Sequence, residues 1–519
     1  MKTGKITLNR SFIGVVYDTN IFIKIGKKNL ASQILDNDIV NFEIENNCAI
    51  ITNIVERKEQ IFIGIITKTD KYSVYLNLPI LNPISSIKII RENLKFQIKE
   101  GDTVIGRIDK NICEILKVEN NDRDLIEYFY EKIRTSKDIK FCNKYIEKEN
   151  YYRDLTHLDT FHVDPEGCED IDDFLSIDKK NNTIYIHIID ITYYIKPGTE
   201  DDKEGMIFGN TWYFPDFTKH LYKKYINYNY LNCITLEINF VNEDYKVDLY
   251  KSKVKCCYDF IYNDLQLILD KKIEHKLSED IIWSLKKLET IYIPISSNSR
   301  ILKWKCSSKG FFPTFEEELL AHRYISGWMI FYNSWLGKNL KINENILPQR
   351  HHPSKFNFEI KDTNKLLPLE VQHILTIKKF RNAEYKQLHN GHFGLNLEFY
   401  THATSPLRRY FDRLIQYIIT YGKDFVYSAE VIDHLNDMEK LYERVCLWYT
   451  TRIMNKYIID NPDNLYECYI IEKYGNGTSY YIYDLKEIIF DNYLQDKEIG
   501  DKIITKLNVI NNKISIFKV

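Results

Sequence analysis

The chain has 519 residues, of which 28% are charged and 44% hydrophobic. Its 71 lysines and arginines nearly balance its 73 aspartates and glutamates, which excludes a strongly basic or strongly acidic protein. This length predicts more than one domain and a core large enough for an active-site cleft. A polyanionic partner would have to be bound by local clusters of positive charge, for which three short basic runs are candidates, at 91–99, 219–225 and 377–381.

The ten cysteines are scattered without a CxxC pair, and only Cys256 and Cys257 are adjacent. This pattern argues against a zinc site and against a secreted disulfide framework. The N-terminal segment MKTGKITLNR lacks the apolar core of a signal peptide, and no run of 18 uncharged apolar residues occurs. We therefore expect an intracellular protein without a membrane span. The cytoplasm is the expected compartment, and the nucleus is the open alternative.

Short alternating strands fill residues 8–64, and the same pattern recurs at 60–118. The segments DNDIVNFEI (36–44) and GDTVIGRI (101–108) both place a turn before a strand that contains valine. Two five-stranded barrels in tandem often serve as a clamp for single-stranded nucleic acid. A pair of generic β modules is the open alternative.

After residue 120 the predicted secondary structure changes from mainly strands to mainly helices and then back to strands. A charged helical stretch at about 122–150 leads into a region where strands dominate, up to about residue 300. Helical periodicity then prevails from 314 to 460, and a last β-rich segment at 465–519 has the pattern of a third small barrel. We expect a central α+β domain between small barrels.

Four aspartates occur within ten residues: Asp164, Asp170, Asp172 and Asp173. They separate two alternating stretches, which predicts a turn between two strands. Crowded carboxylates repel one another unless a cation neutralises them, and an all-oxygen site suits Mg²⁺ or Mn²⁺. A solvated acidic loop is the open alternative. A calcium-binding loop is disfavoured, because counting from Asp164 puts Glu169 and Leu175 where the EF-hand needs Gly and Glu.

A second constellation is FYTHATSPLRRYFDRLIQYII, at 399–419. Ser405 followed by Pro406 predicts the start of a helix, with Ser as N-cap and Pro at the first helical position. Arg408 would then lie in the first turn, where backbone N–H groups and the helix dipole favour a phosphate. The alternative is an ion pair between Arg408 and Asp412, four residues further along.

Four sequence blocks together resemble the signatures of the RNB family, which comprises bacterial ribonucleases II and R and the catalytic subunit of the eukaryotic exosome. The blocks are RDLTHLDTFHVDPEGCEDIDDFLSI (153–177), IYIHIIDITYYIKPGTEDD (184–202), PQRHHP (348–353) and FYTHATSPLRRYFD (399–412). The resemblance implies an α+β multidomain fold. It consists of two N-terminal cold-shock-type OB barrels (1–64 and 65–120), a central α+β RNB catalytic domain with an N-terminal linker helix (121–462) and a C-terminal S1-type OB barrel (463–519).

The resemblance also implies an activity, the processive hydrolysis of single-stranded RNA from its 3′ end to 5′-mononucleotides. By motif position, Asp164, Asp170, Asp172 and Asp173 match the family's magnesium-site aspartates, with Mn²⁺ as a possible substitute, and Asp172 and Arg408 match catalytic residues. Arg408 would also contact the substrate. Tyr258, in KVKCCYDF, resembles the tyrosine near the scissile phosphate, and Tyr213, in GNTWYFPD, resembles the one that packs on the 3′-terminal base.

The expected partner is single-stranded RNA, and the expected state is a monomer that could dock on a larger RNA-decay complex. The main competing hypothesis is an RNB-fold protein, inactive or catalytically weak, that binds RNA or acts as an RNA chaperone. Retention of all four aspartates and Arg408 favours the enzyme, because a protein that only binds RNA has no need of costly clustered charge.

Overall fold

In a computed structural model of the chain, the description covers 2–8, 13–17, 21–25, 34–57, 59–80, 82–90, 94–109, 112–136, 145, 150–222, 226–242, 244–291, 300–308, 310–342, 345–353, 367–377, 382–387, 391–428, 430–491, 497–510 and 512–517. Two compact units are present, one formed by 1–139 with 441–449 and the other by 140–440 with 450–519. Parts of the three basic runs (91–93, 223–225 and 378–381) lie outside the described residues, as does most of the predicted helical stretch after residue 136.

The first unit begins with a five-stranded antiparallel sheet in the spatial order β3-β2-β1-β4-β5. Alternate residues such as Ile6, Val15 and Phe42 are fully buried on its inner face. A parallel bridge from Ile25 to Ala49 connects the end of β3 with β5, so the two edges of the sheet meet. The strands are β1 (Lys2–Leu8), β2 (Ile13–Tyr17), β3 (Ile21–Lys24), β4 (Ile39–Glu45) and β5 (Cys48–Glu56).

A second five-stranded antiparallel sheet of the same unit has the order β10-β9-β6-β7-β8. Gly106 lies against the ring of Phe62, and a Cβ at this position would come within 2.2 Å of the ring, so only glycine fits. The strands are β6 (Gln60–Thr69), β7 (Ser73–Leu78), β8 (Asn82–Ile90), β9 (Thr103–Asp109) and β10 (Ile112–Val118), and helix α1 (Asp122–Ser136) follows them.

The second unit is built on a seven-stranded mixed sheet in the order β11-β18-β17-β14-β13-β12-β19. Its central strands are nearly continuous apolar runs, such as TIYIHII in β14, as expected for a sheet that is covered on both faces. The strands are β11 (Arg153–Asp154), β12 (Thr160–Asp164), β13 (Asp173–Asp178), β14 (Thr183–Ile189), β17 (Leu231–Val241), β18 (Asp244–Val254) and β19 (Cys256–Ile261).

Two features of this sheet position the candidate site. Strands β12 and β13 are antiparallel neighbours, so the loop that joins them lies at one end of the sheet. Strand β19 runs parallel to β12, with Asp164 opposite Ile261. Four two-residue strands, a longer hairpin and two three-residue strands complete the described strands of this region: β15 (Trp212–Tyr213), β16 (Thr218–Lys219), β20 (Arg300–Ser307), β21 (Gly310–Glu317), β22 (Lys341–Ile342), β23 (Asn345–Ile346), β24 (Gln349–His351) and β25 (Glu384–Lys386).

Among the described residues, eight helices belong wholly or partly to the second unit, since residues 441–449 of the last one are assigned to the first unit. Residues of α8 are buried on almost all sides, which identifies it as a core helix rather than a surface helix. The helices are α2 (Ile191–Tyr194), α3 (Glu200–Phe208), α4 (Tyr262–Leu269), α5 (Ser278–Ile291), α6 (Leu320–Asn339), α7 (Leu369–Ile377), α8 (Tyr410–Tyr421) and α9 (Glu430–Asp460). No helix within the described ranges is both long and apolar enough to cross a membrane.

The C-terminal segment forms a four-stranded antiparallel sheet, β28-β27-β26-β29, and a separate hairpin. The backbone N–H of Ile516 in the hairpin donates to Asp491 in β28 (3.0 Å), which ties the two together. Helix α7 packs on this sheet through Leu367, Val371 and Tyr481. The strands are β26 (Tyr466–Tyr474), β27 (Gly477–Ile482), β28 (Glu487–Asp491), β29 (Lys502–Thr505), β30 (Leu507–Ile510) and β31 (Lys513–Ile516).

Candidate active site

The aspartate cluster lies on the loop between β12 and β13. Asp164 is the last residue of β12 and Asp173 the first of β13, so the predicted turn between two strands is confirmed. Asp170 and Asp172 lie within the loop and are only 7% and 3% exposed. The acidic loop is therefore not a solvated surface turn.

Asp172 is the carboxylate that joins this loop to the second constellation. Its Oδ1 accepts a hydrogen bond from the backbone N–H of Leu407 (2.7 Å), and its Oδ2 lies 3.7 Å from Nε of Arg408. Oδ2 is buried and accepts no hydrogen bond from the part of the chain that the structure describes. Burial raises the pKa of Asp172 well above its usual value, and the nearby Arg408 opposes this shift.

Asp173 and Asp164 are electrostatically coupled. Burial raises the pKa of Asp173 to about 7, and the negative charge of Asp164 adds to the effect. Asp164 is held by His162, whose Nδ1 lies 3.0 Å from its Oδ2. On its other side the His162 ring faces Asp259, with 3.3 Å between Nε2 and Oδ1. Both aspartates thus have their positions set by strand ends and neighbouring side chains.

Arg408 reaches the cluster in a different way from the one predicted. Helix α8 begins only at Tyr410, so Arg408 precedes the helix, and the prediction that Arg408 occupies its first turn is wrong. The N–H of Thr211 donates to the carbonyl of Arg408 (2.9 Å), and the N–H of Tyr410 donates to the carbonyl of Gly209 (2.7 Å). Residues 406–408 form a turn closed by hydrogen bonds to the carbonyl of Ser405, and the bonds to Gly209 and Thr211 flank Arg409, which is extended, so the helix begins only after it.

The alternative ion pair between Arg408 and Asp412 is also not formed. The buried Asp412 instead accepts from Arg409, with 3.0 Å between Nη2 and Oδ2, and from the N–H of Ser405 (2.7 Å). The side chain of Arg408 is 44% exposed beside Asp172 and is oriented by it. A planar guanidinium in this position can contact a phosphate in two places.

Tyr213, the predicted base-stacking residue, lies next to the cluster on the short hairpin β15–β16. Its hydroxyl donates to Oδ2 of Asp170 at 2.5 Å, while 42% of its surface remains exposed. Partial burial and the charge of Asp170 raise the pKa of Tyr213 above its usual value. The ring is therefore fixed at its hydroxyl end and open to a ligand.

Tyr258, the residue that the motif assigns to the scissile phosphate, lies on β19 before the position that pairs with Asp164. It stands opposite Phe161 in β12, three residues before the position opposite Asp164, a separation of about 10 Å along the strand. Its ring contacts Phe260 and His275, with Nζ of Lys276 6.0 Å from its centre. The parallel register displaces Tyr258 from the carboxylates.

Tyr262 occupies the position by the carboxylates instead. It follows Ile261, the partner of Asp164, and its ring stacks on that of His322 with 4.1 Å between centres. Burial raises its pKa, and Asp173 and Asp164 raise it further. The residue was missed because its place depends on the register of β12 with β19. The available signal was the alternation of Tyr258 and Phe260 in β19, which Tyr262 continues at the first position of α4.

The donor set fits a hard divalent cation. Within the described residues, no three His, Cys, Asp or Glu side chains are close enough together to hold a metal ion by themselves. Mg²⁺, however, usually binds through only one or two carboxylates and keeps several waters. Oδ2 of Asp172 accepts no hydrogen bond from the described residues and has only the 3.7 Å contact with Arg408, and the pKa of Asp173 is raised, so a cation would stabilise both carboxylates in their charged form.

Comparison with known proteins matches residues 152–421, more than half of the chain, to the RNB domain. The chain belongs to the RNB family. A relative is ribonuclease R of Aquifex aeolicus, 27% identical over 357 residues, which cover 56% of this chain and 50% of that protein. The chain thus spans about half the length of that relative.

Two solved structures of RNB-fold proteins share the architecture. RNase R of Mycoplasma genitalium, in complex with ribose-methylated single-stranded RNA, superimposes with a TM-score of 0.72 at 17% identity and covers 100% of both chains. Yeast Ssd1, described as a pseudonuclease, gives 0.69 at 12% identity and covers 94% of this chain and 78% of its own. The predicted fold class, OB barrels flanking an α+β RNB domain, is confirmed.

Proposed function

We propose that this RNB-family chain is a Mg²⁺-dependent exoribonuclease that degrades single-stranded RNA processively from the 3′ end to 5′-mononucleotides. The proposal rests on the contact between the aspartate loop and the segment that contains Arg408. The 2.7 Å hydrogen bond from the N–H of Leu407 to Asp172 spans 235 positions and places the guanidinium of Arg408 beside the buried carboxylate of Asp172. Phosphoryl transfer requires carboxylates that can hold a metal ion and a positive charge that can stabilise the phosphoryl oxygens, and the aspartates and Arg408 supply these two kinds of charge.

The side chains take distinct roles in this proposal. Asp164 and Asp173 would hold Mg²⁺, which polarises the scissile phosphate and lowers the pKa of a bound water. Arg408 stabilises the charge that develops on the phosphoryl oxygens. A carboxylate with a raised pKa is a stronger base, so Asp172, whose Oδ2 accepts no hydrogen bond from the described residues, is suited to accept the proton of the attacking water. Tyr213 stacks on the terminal base without reading its identity.

The remaining expectations are part of the same proposal. RNA would be the partner of a monomeric protein in the reducing cytoplasm, alone or docked on a larger RNA-decay complex. The nine cysteines in the described part of the chain are free thiols, which suits such a compartment.

A second candidate is an RNB-fold protein that binds RNA without cutting it. The likeness to yeast Ssd1 favours it, because the same fold there belongs to a protein described as a pseudonuclease. Against it stands the cost of burying Asp172 beside the partly buried Asp173, which a cation or a catalytic role would offset.

Hydrolysis of a labelled RNA by wild-type protein and by Asp173→Asn tests the proposal. Single-stranded RNA labelled in its 3′-terminal nucleotide should release labelled mononucleotide with Mg²⁺ and not with EDTA, while 5′-labelled RNA shortens stepwise. Loss of one metal-site carboxylate should slow release by about 10²-fold or more, comparable to the loss of other transition-state contacts.

Asp248→Asn is the matched control, because Asp248 is an exposed carboxylate on β18. It should degrade RNA at the wild-type rate. Intact RNA with the wild-type protein, despite measurable binding, would reject the exonuclease and leave the RNA-binding candidate.

A further inference from the structure

The hairpin β15–β16 brings a histidine to the aspartate loop that no part of the proposed mechanism uses. Nδ1 of His220 lies 3.1 Å from Oδ1 and 3.2 Å from Oδ2 of Asp170. On its other side, Nε2 of His220 lies 3.0 Å from Oε2 of Glu169. The ring is therefore held between two consecutive acidic residues of the loop.

Asp170 is engaged from two directions at once. Its Oδ2 accepts from the hydroxyl of Tyr213 (2.5 Å), and both of its oxygens face His220. With 7% of its surface exposed, Asp170 is shielded from competing water. Hydrogen bonds to a charged, desolvated carboxylate are short and strong, so this arrangement restricts the Tyr213 side chain.

The backbone next to this hairpin is hydrogen-bonded to the segment that contains Arg408. The N–H of Leu221 donates to Oγ1 of Thr211 (3.0 Å), and the N–H of Thr211 donates to the carbonyl of Arg408 (2.9 Å). Because the backbone is held, Tyr213 can move mainly by rotation of its side chain. The hydrogen bond from its hydroxyl to Asp170 restricts that rotation.

We propose that His220 is a positioning residue that holds Asp170 and, through it, fixes the Tyr213 ring in the orientation that stacks on the terminal base of RNA. The inference rests on the proposed function in taking single-stranded RNA as the ligand and Tyr213 as the residue that stacks on its terminal base. It assigns to Asp170 the task of anchoring a stacking ring, in contrast to its neighbours Asp164 and Asp173.

Binding of RNA without turnover tests this inference. Fluorescence anisotropy in EDTA would compare a single-stranded RNA with the same RNA whose 3′-terminal nucleotide lacks its base. Wild-type protein should prefer the intact RNA by about tenfold, the value of one stacked base. Tyr213→Phe keeps the ring but loses the hydroxyl contact, and it should reduce this preference to about threefold or less, as should His220→Leu.

A double variant separates positioning from a general effect on the fold. Because His220 is proposed to act through Asp170 on Tyr213, the variant with Tyr213→Phe and His220→Leu should be no worse than the poorer single variant. His220→Asn keeps a donor at the position of Nδ1 and should restore most of the preference. Overall destabilisation would leave the ratio of the two affinities unchanged.

Two exposed residues supply matched controls, His157→Leu and Tyr151→Phe, which should bind both RNAs like the wild type. Preference unchanged in His220→Leu, or additive losses in the double variant, would overturn the inference while leaving hydrolysis untouched. A wild-type protein that shows the preference and its coupling but releases no nucleotide would reject the exonuclease and support the inference. A wild-type protein that does not bind RNA would overturn both.

Discussion

The motif and the strand register assign different tyrosines to the position beside the carboxylates. The motif assigns the tyrosine near the scissile phosphate to Tyr258, yet the residue after the partner of Asp164 is Tyr262. Its stacking on His322 fixes the ring, and the charges of Asp164 and Asp173 both act on its hydroxyl. A phenol in this position can donate to a phosphate oxygen or to a carboxylate.

Replacing each tyrosine by phenylalanine distinguishes the two assignments. Tyr262→Phe should lower kcat for RNA hydrolysis about tenfold or more, the usual effect of one lost hydrogen bond to a charged group, with little change in KM. Tyr258→Phe should change kcat less than about threefold. Steady-state kinetics on both variants decide the question, and a larger loss in Tyr258→Phe would restore the motif-based assignment.

At the scale of elements, a buried chain of hydrogen bonds crosses the central sheet. His187 in β14 contacts Oγ of Ser176 in β13 (3.0 Å) and Oγ1 of Thr235 in β17 (2.8 Å). Ser176 continues to Thr160 (2.7 Å), and Thr235 to Ser252 (2.5 Å). Burial lowers the pKa of His187 to about 3, so the folded sheet holds it neutral.

This histidine should make the stability of the protein depend on pH. The unfolded chain binds a proton near pH 6.5 and the folded chain only near pH 3, so the contribution of His187 is complete above pH 6.5 and decreases as the pH falls. Between pH 6 and 4 the loss should approach about 1.4 kcal/mol per pH unit.

Urea unfolding at pH 7, 5.5 and 4.5 measures this slope. His187→Gln should be less stable at pH 7 but lose less stability on acidification than the wild type, whereas the exposed His157→Gln should follow the wild type. Parallel slopes for the wild type and His187→Gln would contradict the prediction.

The sequence predicted those parts of the site that local patterns determine. The aspartate loop between two strands follows from alternation on either side of Asp164 and Asp173. The start of α8 was misplaced because Ser405 and Pro406 have the local preferences of a helix start, while the pairing of Arg408 with Thr211 comes from a distant segment. His220 and Tyr262 were not predicted for the same reason. Their positions depend on contacts between segments that are far apart in the sequence, the hairpin with the aspartate loop and β12 with β19.

At the scale of the whole molecule, helix α7 fixes the C-terminal sheet through one carboxylate. Oε2 of Glu370 accepts from the hydroxyl of Tyr483 (2.5 Å), and its Oε1 accepts from Nζ of Lys486. The side chains of Glu370 and Lys486 are only 15% and 12% exposed. An ion pair shielded to this degree leaves a costly buried charge when one partner is neutralised.

Glu370→Gln should therefore lower the free energy of unfolding by about 2–3 kcal/mol. Glu498→Gln is the control, because Glu498 is 81% exposed and its contact with Lys473 is long (3.8 Å), and it should change stability by less than about 0.5 kcal/mol. Chemical denaturation of both variants gives the comparison, and equal effects would show that α7 does not hold the sheet through Glu370.

The bond between Leu407 and Asp172 also determines when the site can exist during synthesis. A growing chain carries all four aspartates by residue 173, but Arg408 and the N–H that orients Asp172 arrive 235 positions after Asp172. Contacts of such long range form late, after the intervening strands and helices are in place. The candidate site therefore stays incomplete for most of translation, because a growing chain shorter than 407 residues lacks both Arg408 and the N–H of Leu407 that orients Asp172.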